Sequence, residues 1–274
     1  MNFSALRRFR KKLAGDEAVV GLWVTLDAPS VTEIAVGLGL DWVVIDAEHG
    51  HLDWSEITAH LRAAVRSDTV ALVRLAELNG GAIKRALDLG ADGVVIPWVE
   101  SVAQLRDALA YSKYPPKGKR GIGAERATAW GQAFVEHTRD ANDAVLVVPI
   151  LETVAGVTKA AELAKVDGSE LFFFGPADLS ASAGHRGEWE GPGVAKLIDD
   201  AKNTLLESGK QCGVIAKDWA DLHRRQREGF RMIGLGTDAA LLIRVLRQGL
   251  SELGRDATIR ANLASPHIER KEQP

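Results

Sequence analysis

Cysteine is nearly missing from this chain. Cys212 is the only one in 274 residues, which excludes an intrachain disulfide framework and suits a reducing compartment. Long apolar runs are missing too. No stretch reaches the roughly 18 uncharged apolar residues that a membrane span needs, so no membrane partner is expected. Nor is there an excess of positive charge. Lys and Arg number 34 against 37 Asp and Glu, a net charge of -3, so no nucleic-acid partner is expected. The basic segment Arg7-Arg8-Phe9-Arg10-Lys11-Lys12 is followed by Ala14-Gly15-Asp16-Glu17, not by the apolar stretch of a secretion signal. Phe3, Leu6 and Leu13 fall along one helical stripe and predict a short amphipathic helix instead. Together these absences predict a cytoplasmic protein. Zinc is disfavoured as well, because His51, His60, His137, His185, His223 and His267 show no paired ligand spacing and Cys212 stands alone.

What the chain does contain is a repeated alternation of strand-like and helix-like segments. The central example is Trp42-Val43-Val44-Ile45-Asp46-Ala47-Glu48-His49-Gly50. Its apolar half reads as a strand buried on both faces. Its ionisable half cannot continue inside a core without large desolvation costs, so it marks the point where the chain leaves the sheet. The same grammar predicts strands over 19–26, 42–46, 70–74, 94–97, 145–151, 171–174, 211–215 and 232–235. Helices are predicted over 29–38, 53–65, 82–89, 101–111, 130–138, 155–164, 194–206, 220–228 and 239–250, with a rigid Pro-Pro and Gly-punctuated loop over 114–123. Eight strands, each followed by a helix, predict an α/β fold of the (β/α)8 TIM-barrel class, a single domain over residues 1–250 with its N-terminal helix. A doubly wound sheet would want a Gly-rich fingerprint after its first strand, and Leu26-Asp27-Ala28-Pro29 is not one. Residues 251–274 are too polar for core and are expected to be a loose arm or docking segment.

Barrels of this class carry their chemistry at the C-terminal ends of several strands. Here those ends supply Asp46, Glu48 and His49 from the second strand, Arg74 from the third, Glu152 from the fifth and Asp178 after the sixth. A small number of carboxylates with room for waters and substrate describes a hard-cation site for Mg²⁺ or Mn²⁺. Each residue also has a plain structural use: a carboxylate capping the next helix, an arginine in a barrel-end salt bridge, a histidine hydrogen-bonded in its loop. The joint pattern favours chemistry. Lys217, just past the seventh strand, is the one candidate for a Schiff-base amine, though an exposed loop lysine is its simpler reading. Arg120-Gly121-Ile122-Gly123 and Gly234-Leu235-Gly236-Thr237 are weaker candidates for anion cradles.

The set WVVIDAEHG, LVRL, KRALDLGADGVVIPWVES, KYPPKGKRGIG, ILET and FFFGPADLSA, in that order over roughly residues 21–242, resembles the HpcH/HpaI family of class II, metal-dependent pyruvate aldolases. The resemblance implies that Glu152 and Asp178 are metal ligands, with Glu48 a carboxylate behind them. It implies Mg²⁺ or Mn²⁺, with Co²⁺ as a further option and no organic cofactor. His49 is then the general base, oriented by Asp46 and Asp88, and Arg74 contacts the ketone or enolate oxygen. Gly175, Pro176 and Ala177 form the turn that holds the substrate carboxylate, and Trp23 is an aromatic wall. The implied partners are a small 2-oxo acid and an aldehyde, and the implied assembly is a homohexamer, a trimer of dimers with C-terminal segments exchanged. Two positions depart from the family pattern: Ile150 replaces a glutamine two residues before the metal glutamate, and Ala124 replaces a serine after the Pro-Pro loop. Rival expectations are a citrate-lyase-β-like enzyme acting on acyl-CoA esters and a catalytically silent assembly subunit.

Overall fold

Strands rich in Val, Ile, Leu and Phe are buried on both faces only when helices cover the outside of a parallel sheet. The computed structural model, which describes residues 1–15 and 17–255, has that arrangement. Eight parallel strands run β1 Val19–Val24, β2 Trp42–Asp46, β3 Val70–Arg74, β4 Gly93–Ile96, β5 Leu146–Leu151, β6 Leu171–Phe174, β7 Gln211–Ile215 and β8 Met232–Thr237. They pair in sequence order, and β1 closes the barrel on β8.

The lower interior is filled by residues two or four apart on the strands. Val19 and Trp23, Trp42 and Val44, Val70 and Leu72, Leu146 and Val148, and Leu171 and Phe173 share one core cluster. Gly21 makes room for Trp42, because a Cβ there would lie 2.1 Å from the indole. Helix α1 (Phe3–Leu13) adds Ala5, Leu6, Phe9 and Leu13 to this cluster, so Leu6 and Leu13 of the predicted stripe join the core, while Phe3 stays outside the cluster.

The outer helices are α2 Pro29–Gly37, α3 Trp54–Ala63, α4 Gly80–Asp88, α5 Val102–Ser112, α6 Phe134–Ala144, α7 Val154–Val157, α8 Ala160–Leu163, α9 Pro176–Ser182, α10 Val194–Glu207 and α11 Trp219–Arg227. Asp53 starts α3 with a full capping box through Glu56, as its position before an apolar stripe predicts. Three helices differ from expectation. The one expected from Trp130 begins only at Phe134, because Ala129, Trp130 and Gly131 have φ of 51°, 54° and 86°. A left-handed run cannot open a right-handed helix. The helix expected over 155–164 is two single turns, α7 and α8. The stretch after β6, to which the pattern assigns no helix before residue 194, opens with the short helix α9.

Residues 239 onward group separately from residues 1–238, and they carry the rest of helix α12 (Asp238–Glu252). The polar tail expected from residue 251 lies, from residue 256, outside the described residues. Among the described residues no helix is long and apolar enough to cross a membrane.

Candidate active site

Alternation along the strands decides which polar residues reach the barrel mouth. Asp46 follows Trp42 and Val44 in phase, Arg74 follows Val70 and Leu72, and Glu152 follows Leu146, Val148 and Ile150. Gly175 follows Leu171 and Phe173 in the same way. The inward-facing apolar column on these four strands thus ends in a functional group or, at Gly175, in a glycine set against the Glu152 side chain.

These residues meet around one cavity of about 190 Å³. Asp46, His49, Arg74, Glu152 and Asp178 line it on the polar side. Trp23, Gly175, Pro176, Ala177 and Phe173 line it elsewhere, as do Ile150, Trp189 and Thr237.

Arg74 is the best-anchored of them. Its Nε donates to Asp46 Oδ1 at 2.9 Å, its Nη2 donates to Asp46 Oδ2, and its Nη1 lies 2.8 Å from Glu48 Oε2. The guanidinium also lies over the Trp23 ring, 4.7 Å from its centroid. Burial alone would lower the Arg74 pKa, but the hydrogen bond and charge of Asp46, with Glu48 and Glu152 behind it, raise it. Of the five N–H donors of a guanidinium, two are hydrogen-bonded to Asp46, and Nη1 is in ion-pair contact with Glu48.

Asp46 Oδ1 also accepts the backbone N–H groups of Glu48 and His49, at 3.0 and 3.2 Å. Asp46 therefore organises the turn that carries His49, and the imidazole itself is exposed at the cavity rim.

Glu152 is buried, and Trp98 N–H donates to its Oε1 at 2.7 Å. Its carboxyl is pushed up to about 7. Burial is the main cause, the Trp98 N–H opposes it, and the negative charges of Asp178 and Glu48 add to it. Glu48 is raised as well, chiefly by burial, with Arg74 and His49 acting in the other direction. Asp178 sits in the first turn of α9. Among the described residues no group of three or more His, Cys, Asp and Glu side chains converges as a metal-binding set. Glu152 and Asp178 line the same cavity, and a cation such as Mg²⁺ commonly takes one or two protein carboxylates and fills its other positions with water and substrate.

Other predicted positions fall elsewhere. Asp88 ends α4 and accepts a 2.7 Å bond from Arg120 Nη2; it does not line the cavity. Arg120 turns inward, fully buried, with its guanidinium 4.4 Å from the Tyr114 ring centroid, so the Pro-Pro loop does not present it as an anion cradle. Gly234 to Thr237 belong to β8 itself and not to a loop beyond it. Lys217 is exposed and borders a separate groove with Glu188 and Asp218.

Sequence reasoning missed Phe173, Trp189 and Trp98. The alternation of β6 could have found Phe173. Trp189 lies in a polar, irregular stretch with no periodicity to reveal it. It is held there by its neighbour Glu190, which pairs with Arg224 at 3.0 Å and with Arg225.

The chain matches the family model described as HpcH/HpaI aldolase/citrate lyase over residues 19–245. The protein belongs to this family. A hydroxypyruvate/pyruvate aldolase of Pseudomonas aeruginosa is 33% identical over 245 residues, covering 89% of this chain and 91% of that protein. A 4-hydroxy-2-oxovalerate aldolase of Novosphingobium aromaticivorans is also 33% identical, covering 88% and 92%. The crystal structure of an HpcH/HpaI aldolase/citrate lyase family protein from Burkholderia cenocepacia J2315 superposes with a TM-score of 0.86 at 31% identity, covering 90% of this chain and 99% of that one.

Proposed function

We propose that the protein is a divalent-metal-dependent aldolase that reversibly cleaves 4-hydroxy-2-oxo acids to pyruvate, or a close analogue such as hydroxypyruvate, and an aldehyde. The observation that carries this reading is the meeting of Glu152, Asp178, Arg74 and His49 around one small cavity in a member of an aldolase family. Relatives named for hydroxypyruvate, pyruvate and 4-hydroxy-2-oxo acids support the substrate class. The cavity also suits small acids: at about 190 Å³ it lies below the ~300–1,000 Å³ typical of drug-sized ligand pockets.

A divalent cation fits the residues present. Burial together with the charges of Asp178 and Glu48 makes a negative charge on Glu152 costly, and a cation between the carboxylates would relieve that cost. Glu152 and Asp178 would hold it, with Glu48 behind them. Bound there, Mg²⁺ or Mn²⁺ would supply Lewis-acid polarisation of the ketone oxygen of the substrate.

The chain's own groups account for the rest. Backbone amides at the start of α9, around Ala177, receive the substrate carboxylate; first-turn amides have no partners within a helix. His49 takes the proton from the C4 hydroxyl, an aldehyde leaves as the C3–C4 bond breaks, and return of a proton to C3 then completes pyruvate. As the bond breaks, negative charge builds on the C2 oxygen. The remaining Arg74 donors face that charge, held in place by Asp46 and Glu48 before the reaction starts. Trp23 and Phe173, with ring centroids 5.4 Å apart, wall the cavity and limit water. In the synthetic direction the same groups act in reverse.

Assembly into a homo-oligomer belongs to this reading. Helix α12 carries Leu241, Leu242, Ile243, Val245, Leu246 and Leu250, more apolar surface than a lone helix can bury by itself. Analytical ultracentrifugation tests it, and a monomer at micromolar concentration would exclude it.

The activity test is exchange of pyruvate methyl protons for deuterium, followed by NMR, with EDTA and with added Mg²⁺ or Mn²⁺. Exchange that requires metal and is lost in Glu152→Ala is the expected result. Exchange that survives EDTA would overturn the metal assignment, and no exchange with any metal would overturn pyruvate as the donor.

A further inference from the structure

Trp98 stands just beyond β4 in a conformation that a bulky residue rarely adopts. Its φ is 53°, in the left-handed region that Gly and Asn tolerate and other residues avoid. Burial of the side chain does not account for this, since the indole is 49% exposed and is not among the residues lining the cavity. What the backbone does there is specific. The Trp98 N–H donates to Glu152 Oε1 at 2.7 Å, and the next amide, Val99 N–H, bonds Ile150 O at 3.3 Å on the strand that leads to Glu152. On the other side of the carboxyl, Oε2 faces Gly175 so closely that a Cβ there would lie 2.7 Å from it. Glu152 is thus clamped, with one oxygen held by an amide and the other set against a bare glycine.

We propose that Trp98 is a positioning residue whose left-handed backbone, not its indole, orients Glu152 for a divalent cation. This rests on the reading of Glu152 as a metal ligand. A carboxylate held by one charge-assisted hydrogen bond keeps a single orientation before the cation arrives. A β-branched residue, which resists the left-handed region more strongly than tryptophan, would turn the amide away, so Glu152 must be ordered at the expense of cation binding.

The role makes an unusual demand on substitutions at this site. Metal affinity should follow tolerance of the left-handed region and not side-chain size or polarity. The experiment measures Mn²⁺ affinity of the whole protein by electron paramagnetic resonance, without substrate. Trp98→Gly and Trp98→Asn are expected within about threefold of the parent. Trp98→Ala, no less tolerant of this region than tryptophan, is expected in the same range, whereas the β-branched Trp98→Val should bind more weakly by about tenfold or more, the scale of one lost hydrogen bond to a charged group. Arg66, with φ of 61° and an exposed side chain away from the cavity, is the control; Arg66→Val should lower thermal stability and leave Mn²⁺ affinity alone. Four substitutions at one site keep the ranking readable if one of them does not fold.

Trp98→Val binding Mn²⁺ like the parent, in a protein whose Glu152→Gln binds weakly, would overturn the positioning role alone. Trp98→Gly losing as much affinity as Trp98→Val would overturn it too, by showing that the indole matters. Glu152→Gln binding as tightly as the parent would overturn the ligand assignment and the positioning role together.

Discussion

Asp46 and Arg74 are register partners on adjacent strands, and their side chains close into a forked pair, Nε 2.9 Å from Oδ1 and Nη2 on Oδ2. Both are buried, so solvent does little to screen the pair. Asp46→Ala would strand a buried guanidinium and leave the Glu48 and His49 amides without their acceptor. Breaking a buried ion pair costs about 3–5 kcal/mol, and the lower end is expected here because Glu48 still faces Arg74. Urea denaturation with Asp46→Ala beside Asp46→Asn measures it, and Asn, which keeps the shape and the amide contacts, should lose less. An Asp46→Ala protein as stable as the parent would contradict a structural role for the pair.

Gly175 is fixed by the carboxyl beside it. A Cβ at this position would lie 2.7 Å from Glu152 Oε2 and 2.9 Å from its Cβ. Gly175→Ala therefore has to displace Glu152 or move the turn into α9. The expected outcome is a drop in Mn²⁺ affinity of at least tenfold, the equivalent of about 1.4 kcal/mol, with a smaller change in melting temperature. A loss of stability with unchanged metal affinity would show that the turn moves and not the carboxylate.

The fold was legible because its strands are short and apolar and end in charge. β2, β3, β6 and β7 have the bounds that their composition predicts. The same alternation that buries Val44 and Leu72 delivers Asp46 and Arg74 to the barrel mouth, so much of the site could be read from strand ends. What could not be read depends on backbone conformation and distant pairing. The left-handed run at Ala129 and Trp130, which delays α6, has only Gly131 as a marker. Trp98 looks like one more apolar residue until its φ is seen. Arg120 looks like an anion-binding arginine on a glycine loop, yet Asp88 and Tyr114 take it into the interior. No local pattern encodes contacts of that kind.

His137 gives the fold an acid-side sensitivity. It is buried between the Phe3 and Tyr114 rings, at centroid distances of 5.9 and 6.2 Å, and its pKa is lowered to about 4. Burial is the main cause, followed by the positive charges of the amino terminus and Arg120. In the unfolded chain a histidine binds its proton near pH 6.5, so between 6.5 and about 4 the unfolded state holds more protons than the native one. The stabilisation from keeping His137 neutral is full above pH 6.5 and is lost progressively as pH falls towards 4. The contribution at neutral pH is on the order of 2–3 kcal/mol. Melting temperature measured from pH 7.5 to 4.5 should fall less steeply in His137→Phe than in the parent, and parallel curves would remove His137 as the cause.

Lys217 provides the sharpest separation between the two kinds of aldolase. A Schiff-base lysine works from a site that removes its amine from water or crowds it with another cation. Lys217 is exposed and borders a groove shared with the carboxylates Glu188 and Asp218, outside the cavity that holds Arg74 and Glu152. Lys217→Met is accordingly expected to keep pyruvate methyl exchange within about twofold. Borohydride added to the protein with pyruvate should leave its mass unchanged, and EDTA should stop the exchange. Mass gain at Lys217 under borohydride, with exchange that persists in EDTA, would transfer the chemistry to that lysine and leave Glu152 and Asp178 a purely structural explanation.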